Sequence, residues 1–217
     1  LSQIPRNHQE FLEIFEEWAR YLKLAIRLSK RRTAGIILTH GVSGTGKTTV
    51  SSNILQALFA LRVRSDVERR RMVTGPEAGP GTSNPYSSSM TQATYDRLAD
   101  LTESLLSAGF LVIVDATFLR KADREVFARM AAERQILFVI LDVTASESVR
   151  SQRIERRRKA GTDASEATVP VMYQQVAKDE PFGSEERPLV MSIDSTSQDS
   201  LQSAIRQLSG LLKKQAV

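Results

Sequence analysis

The run Gly41-Val42-Ser43-Gly44-Thr45-Gly46-Lys47-Thr48 fits the spacing G-x-x-x-x-G-K-[ST]. Glycines at 41, 44 and 46 let the backbone take dihedrals closed to other residues, so successive N–H groups can converge on phosphate oxygens beside a helix N-terminus. Lys47 is then placed to reach β- and γ-phosphates. The Thr48 hydroxyl offers the hard oxygen that Mg²⁺ prefers, and Thr49 after it completes the expected nucleotide-binding run. The run follows a β-type apolar segment and opens a helix-period segment, the setting that separates a phosphate-binding loop from an accidental Gly-rich turn. ATP and Mg²⁺ are the cofactors this predicts.

Leu111-Val112-Ile113-Val114-Asp115 is an apolar strand ending in an acid, the form of a Walker B element on the Mg²⁺ side of such a site. Ala116 follows it, so the glutamate that would polarise an attacking water in a motor ATPase is missing. Transfer to another acceptor therefore fits better than hydrolysis. Asp66 stands just beyond a second β-type run, at the sheet edge where α/β proteins bind ligands, and is the candidate base for an acceptor hydroxyl. Arg69, three residues on, shares its face and can hold an anionic part of the acceptor or orient Asp66. The plainer alternative makes Asp66 a helix cap and leaves Arg69 solvated. Arg150, Arg153, Arg156, Arg157, Arg158 and Lys159 crowd one further segment, with Glu155 the acid among them. Ala160-Gly161-Thr162-Asp163 then offers a hinge. A mobile lid of this kind can bring Arg153, Arg157 or Arg158 to the γ-phosphate; a solvated helix face is the alternative.

Positioning these groups requires an alternating chain. β-type runs at Ile36 to His40, Leu61 to Arg64, Leu111 to Asp115, Ile136 to Val143 and Leu189 to Ile193 are separated by helix-period segments. The helical segments read as Lys47 to Phe59, Met90 to Ser107, Lys121 to Glu133, Ser146 to Lys159, Val169 to Val176 and Gln198 to Leu212. This alternation predicts an α/β fold, a parallel sheet with helices on both faces. Thr74 to Ser89 is Gly/Pro/Ser-rich and reads as a long loop that can close on substrate. Upstream, Phe11, Phe15, Trp18, Leu22 and Ala25 form a helical apolar stripe. The expected division is residues 1–33, an amphipathic helical segment, and 34–217, the phosphate-binding domain. Glu180-Pro181-Phe182 can wall an adenine or simply connect, and His40 ends its strand without suggesting a metal cluster.

With 41% hydrophobic and 25% charged residues, the composition is that of a folded globular chain. No apolar stretch approaches the ~20 residues of a membrane span. The chain has no cysteine, which excludes disulfides, thiolate zinc and cysteine nucleophiles and suits a reducing, cytoplasmic setting. A net charge of +5 allows a polyanionic partner but does not select nucleic acid over nucleotide. Leu1 stands where a start methionine would, and no secretory leader follows.

From about Ile36 to Asp194 the chain resembles the P-loop kinase-like family that includes the kinase domain of phage polynucleotide kinase and, more distantly, zeta toxins. The similarity is greatest to AAA-type ATP-binding kinases fused behind an aminoglycoside-phosphotransferase-like domain. It runs through Arg64-Ser65-Asp66-Val67, Val114-Asp115-Ala116-Thr117-Phe118-Leu119-Arg120 and Asp163-Ala164-Ser165. The resemblance implies a P-loop NTPase sheet of five strands in the order 2-3-1-4-5, with Asp66 activating the acceptor, Arg69 anchoring it and Asp115 on the Mg²⁺ side. It also implies that Leu1 to Arg32 is the tail of an upstream domain. The lid is longer and richer in arginine than in the phage enzyme, and neither a phosphatase domain nor a defined nucleic-acid channel is recognisable. The expected activity is ATP-dependent phosphoryl transfer to a hydroxyl of a small-molecule or nucleoside-type acceptor. A regulatory ATPase module and a polynucleotide 5′-hydroxyl kinase are the alternatives.

Overall fold

The computed structural model describes residues 8–29, 33–74, 87–160 and 167–215. The chain divides into two compact units, Leu1–Arg32 and Thr33–Val217. In the first, α1 (His8–Ser29) carries an aromatic ladder, with Phe11 and Phe15 ring centroids 6.3 Å apart and Phe15 and Trp18 5.9 Å apart.

The second unit is a five-stranded sheet of β1 (Gly35–His40), β2 (Leu61–Arg64), β3 (Leu111–Asp115), β4 (Leu137–Thr144) and β5 (Val190–Asp194). All neighbours are parallel and the order is β2-β3-β1-β4-β5, as the resemblance implied. The helices are α2 (Lys47–Leu58), α3 (Ser65–Thr74), α4 (Ser88–Ser107), α5 (Lys121–Arg134), α6 (Glu147–Ala160), α7 (Val169–Ala177) and α8 (Gln198–Gln215). Alternate side chains of each strand enter opposite cores. Ile36, Leu38, Val112 and Val114 meet Tyr95 and Leu98 of α4 and Phe127 of α5. Ile37, Ile113, Val139 and Leu141 meet Val50 and Ile54 of α2 and Leu201, Ala204 and Leu208 of α8. A strand buried on both faces needs a continuous apolar run, which explains why β1 and β3 are apolar along most of their length.

Two strands start one residue later than their apolar runs. Ile136 packs on the core, but its N–H returns to Ala131 O at 3.1 Å and closes the end of α5, so the ladder begins at Leu137. Leu189 falls in a 3₁₀ turn, Arg187–Leu189, before β5. The sequence predicts no full helix after β2, yet α3 begins directly at Ser65 with Asp66 and Glu68 in its first turn, where negative charge suits the helix dipole. Much of the long loop (residues 75–86) and the hinge with Asp163-Ala164-Ser165 (residues 161–166) lie outside the described residues. Among the described residues no helix is long and apolar enough to cross a membrane.

Candidate functional site

The loop after β1 lies where successive strands depart to opposite sides of the sheet, the place where open α/β sheets take ligands. Gly44 has φ +86, and a Cβ on it would come within 2.6 Å of the Arg150 carbonyl oxygen; Gly46 has φ +96, and its Cβ would meet Arg153 Nη1 at 2.9 Å. Only glycine fits this turn. Gly41 ties the loop to the neighbouring strand end, its N–H donating to Thr117 O at 3.1 Å. Thr45 closes the curve by donating its hydroxyl to Val42 O at 3.0 Å.

At α2 the first residues are bare. Gly46, the N-cap, supplies no side-chain cap, and the first turn carries no acid. Orphan N–H groups and the positive end of the helix dipole are thus left for an anionic ligand.

Lys47 Nζ donates to Val42 O at 2.9 Å. Burial pushes the Lys47 ammonium down to about 8; Asp115 and Asp66 oppose that shift, while Arg157 adds to it. Below pH 8 the folded chain therefore carries a desolvated charge, and that penalty is relieved as pH rises from about 8 towards the ordinary lysine value. A bound polyphosphate favours the charged form, so binding above pH 8 takes up a proton and weakens as pH rises. Calorimetry of ATP binding in buffers of different ionisation enthalpy should read negligible uptake at pH 6.5 and most of one proton at pH 9. Equal uptake at both pH values would contradict the role given to Lys47.

Asp115 ends β3 buried, 5% exposed. Ser51 Oγ donates to its Oδ2 at 3.0 Å, and Thr39 Oγ1 lies 3.4 Å from Oδ1. Arg62 and Arg64 of β2 approach Oδ2 at 3.8 and 3.9 Å. Thr48 and Asp115 line one cleft, and no group of three or more His, Cys, Asp or Glu able to hold a metal occurs among the described residues. One hydroxyl and one carboxylate fit Mg²⁺, which keeps waters and binds mainly through phosphates. They do not fit a metal caged by protein alone.

Asp66 faces the same cleft, so its place in the first turn of α3 does not remove it from the site. Arg69 Nη1 is 3.7 Å from its Oδ1 and Arg64 Nη2 3.9 Å from its Oδ2, beyond hydrogen-bonding reach. Burial raises the Asp66 carboxyl above the usual carboxylate range, against the opposing pull of Arg69, Lys47 and Arg64. A carboxylate raised towards neutrality and set in a cleft suits a general base.

The cleft, about 590 Å³, is lined by Ser43, Gly44, Gly46, Lys47, Thr48 and Thr49 from the loop, and by Asp66, Arg69, Asp115, Arg153 and Arg157. Gly41, Val42 and Thr45 support the loop without lining the cleft. Arg153 clamps the loop to the turn after β5, donating to Thr45 O at 3.0 Å and to Ser195 Oγ at 2.8 Å. Arg157 lines the cleft from the last turn of α6, whereas Arg158 is exposed and outside it. The geometry thus brings two of the three proposed arginines to the site.

Glu180-Pro181-Phe182 does not wall the cleft. The Phe182 ring sits 4.6 Å from His40 and beneath the Arg124 guanidinium at 5.0 Å. Sequence reasoning also missed residues that converge from distant segments. Tyr95, Thr117, Arg120 and Asp123 line the cleft beyond Asp66, and Gln174, Gln175 and Lys178 come from α7. Phe118 takes a left-handed φ of 49°, rare for a bulky residue and typical of strained functional loops. It is held there by Tyr95, whose hydroxyl accepts the Phe118 N–H at 3.1 Å. His40 does end β1, and it also bridges Asp142 (Nδ1, 2.9 Å) and Asp179 (Nε2, 3.1 Å), fastening the end of α7 to the sheet.

Known proteins are similar to this chain in sequence or in fold. An uncharacterized protein of Mycobacterium tuberculosis (strain ATCC 25618 / H37Rv) and its counterpart in Mycobacterium bovis are each 29% identical over 151 residues, 67% of this chain. The chain spans 30% of the length of these curated relatives. Among solved structures, a gluconokinase from Sinorhizobium meliloti 1021 superposes with TM-score 0.58 at 20% identity, covering 86% of this chain and 100% of that one. An APS kinase of Mycobacterium tuberculosis in complex with AMPPNP and APS gives 0.57 at 18%, covering 84% and 99%. Kti12 of Chaetomium thermophilum in complex with ADP-AlF3 gives 0.64 at 14%, covering 82% and 98%. At these identities the structures establish the fold, that of a P-loop NTPase. The AAA domain model matches residues 36–182, and the chain belongs to that family.

Proposed function

We propose that this chain is an ATP-dependent phosphotransferase that moves the γ-phosphate to a hydroxyl of a small acceptor. The observation that carries the reading is the presence of Asp66, raised in proton affinity, in one cleft with the loop lysine and Asp115. The other cleft carboxylates are engaged: Asp115 takes the Ser51 hydroxyl, and Asp123 is gripped by Arg120 through Nε at 2.9 Å and Nη2 at 2.6 Å. Ala116 offers no acid to direct a water. In the transfer, the acceptor oxygen bonds to the γ-phosphorus as the bond to the β–γ bridging oxygen breaks, ADP departs, and the hydroxyl proton passes to Asp66.

Lys47 and Arg157 supply positive charge to the phosphates, and Arg69 stands beside Asp66 to orient it or to hold an anionic acceptor. Mg²⁺, when bound through Thr48 and the Asp115 side, would neutralise phosphate charge. The gluconokinase and APS kinase among the structural neighbours support a small acceptor, as does a cleft of about 590 Å³, a size usual for small-molecule sites. The greater length of the mycobacterial relatives supports a further domain, which we take as aminoglycoside-phosphotransferase-like from the resemblance described above.

The test is a panel of sugar acids, polyols, nucleosides and oligonucleotides offered with γ-labelled ATP to the full chain. An Asp66-dependent labelled ester of a small acceptor is the expected result. Label appearing as inorganic phosphate alone, at a rate indifferent to Asp66→Asn, would replace this reading with an ATPase module.

A further inference from the structure

Gln175 of α7 makes a contact that phosphate binding by the loop does not explain. Its Oε1 accepts the Ser43 N–H at 2.7 Å, a short side-chain hydrogen bond to the loop backbone. Ser43 is the third residue of the loop, two before the curve closes at Thr45. Because an N–H can be received only by the amide oxygen, this bond also fixes which end of Gln175 is which. The NH₂ end, with two donors, makes no hydrogen bond among the described residues, although the residue lines the cleft beside Ser43, Gly44 and Lys47.

The helix that carries Gln175 is held firmly. Met172, fully buried, packs with Val42 of the loop, Leu119 and Ile154. Asp179, just past the helix end, is bound by His40 at 3.1 Å. Tyr173 donates to Glu147 Oε1 of α6 at 2.6 Å, so α7 is also tied to the arginine-bearing helix. A side chain fixed at one end and supplied with two free donors at the other is preorganised to meet an acceptor-rich ligand.

We propose that Gln175 binds the terminal phosphate of the triphosphate, its NH₂ donating to a γ-oxygen while its oxygen keeps the Ser43 amide in place. This rests on the phosphotransferase reading only for the identity of the nucleotide, and it needs no acceptor to be known. The contact makes the site discriminate triphosphate from diphosphate.

Two variants separate this role from plain support of the loop. Gln175→Glu keeps an oxygen for the Ser43 N–H and replaces the donor by an acceptor; Gln175→Met removes both. The measurement is calorimetric titration of the full chain with MgADP and with the magnesium complex of AMPPNP, expressed as the ratio of the two affinities, alongside the melting temperature of each variant. Losing one hydrogen bond to a charged oxygen should lower the triphosphate-to-diphosphate ratio roughly ten- to hundredfold in both variants. Gln175→Glu should melt like the wild type. A ratio unchanged in Gln175→Glu, or AMPPNP and ADP weakened equally in both variants, would make Gln175 a structural clamp and overturn the proposal. Failure of the wild type to bind either nucleotide would overturn the nucleotide reading itself, a result that cannot be mistaken for loss of discrimination.

Discussion

Asp66→Asn should lower kcat for phosphoryl transfer by about 10²–10⁴-fold, the usual contribution of a positioned general base, while nucleotide affinity changes little. The amide is nearly the same shape and keeps the first turn of α3, but it cannot take the acceptor proton. Burial raises the Asp66 carboxyl, and Arg69, Lys47 and Arg64 hold that rise in check. The wild-type rate should therefore climb with pH through a limb lying above the ordinary carboxylate range, and the Asn variant should lose that limb. A helix-capping role alone predicts the opposite pattern: a lower melting temperature, with kcat and its pH profile intact.

Arg124→Met should destabilise the fold by about 3–5 kcal/mol, because it strands a buried carboxylate. Arg124 is fully buried, and its Nε and Nη2 grip Glu186 at 2.6 and 3.0 Å. Nη1 also donates to the carbonyls of Phe118 and Leu119 at 3.0 and 3.1 Å. Glu186 is held below the usual glutamate range first by that guanidinium. A fall in melting temperature of roughly 6–20 °C is expected for a domain of this size. Much of it should return in the double variant Arg124→Met with Glu186→Leu, which removes the orphan charge. If the single variant melts like the wild type, the pair does not hold the turn at Phe118 and Leu119 to the segment at Glu186.

The groups that meet in the cleft were legible in the sequence because their geometry is local. Gly41 to Thr48 form one strand-to-helix turn, Asp115 ends its own strand, and Asp66 and Arg69 share one helical turn. For the same reason the strand and helix assignments mostly fell within two residues of the structure. What was not legible is whatever joins distant segments. Gln175 meets Ser43 across 132 residues, and His40 meets Asp142 and Asp179 across 102 and 139. Arg124 sits in the charged start of α5, Lys-Ala-Asp-Arg-Glu, yet it is buried because Glu186 and four carbonyls receive its charge. For Phe182 the sequence left an adenine wall and a plain connection open; its partners, His40 and Arg124, come from elements far away in the chain. The arginine run named a helix rather than a residue: the turn at Ser195 fixes Arg153, and of Arg157 and Arg158 the fold brings the first to the cleft.

The loop amides and the Lys47 ammonium should together hold a nucleoside triphosphate, which calorimetric titration of ATP with Mg²⁺ into the wild type and Lys47→Met at pH 7 would measure. Below about 8 the lysine is charged, so the wild type should give saturable one-site binding heat. Lys47→Met, which keeps the loop and removes the buried charge, should melt at or above the wild-type temperature and lose that heat. Binding of equal strength in both proteins, or none in the wild type, would contradict this.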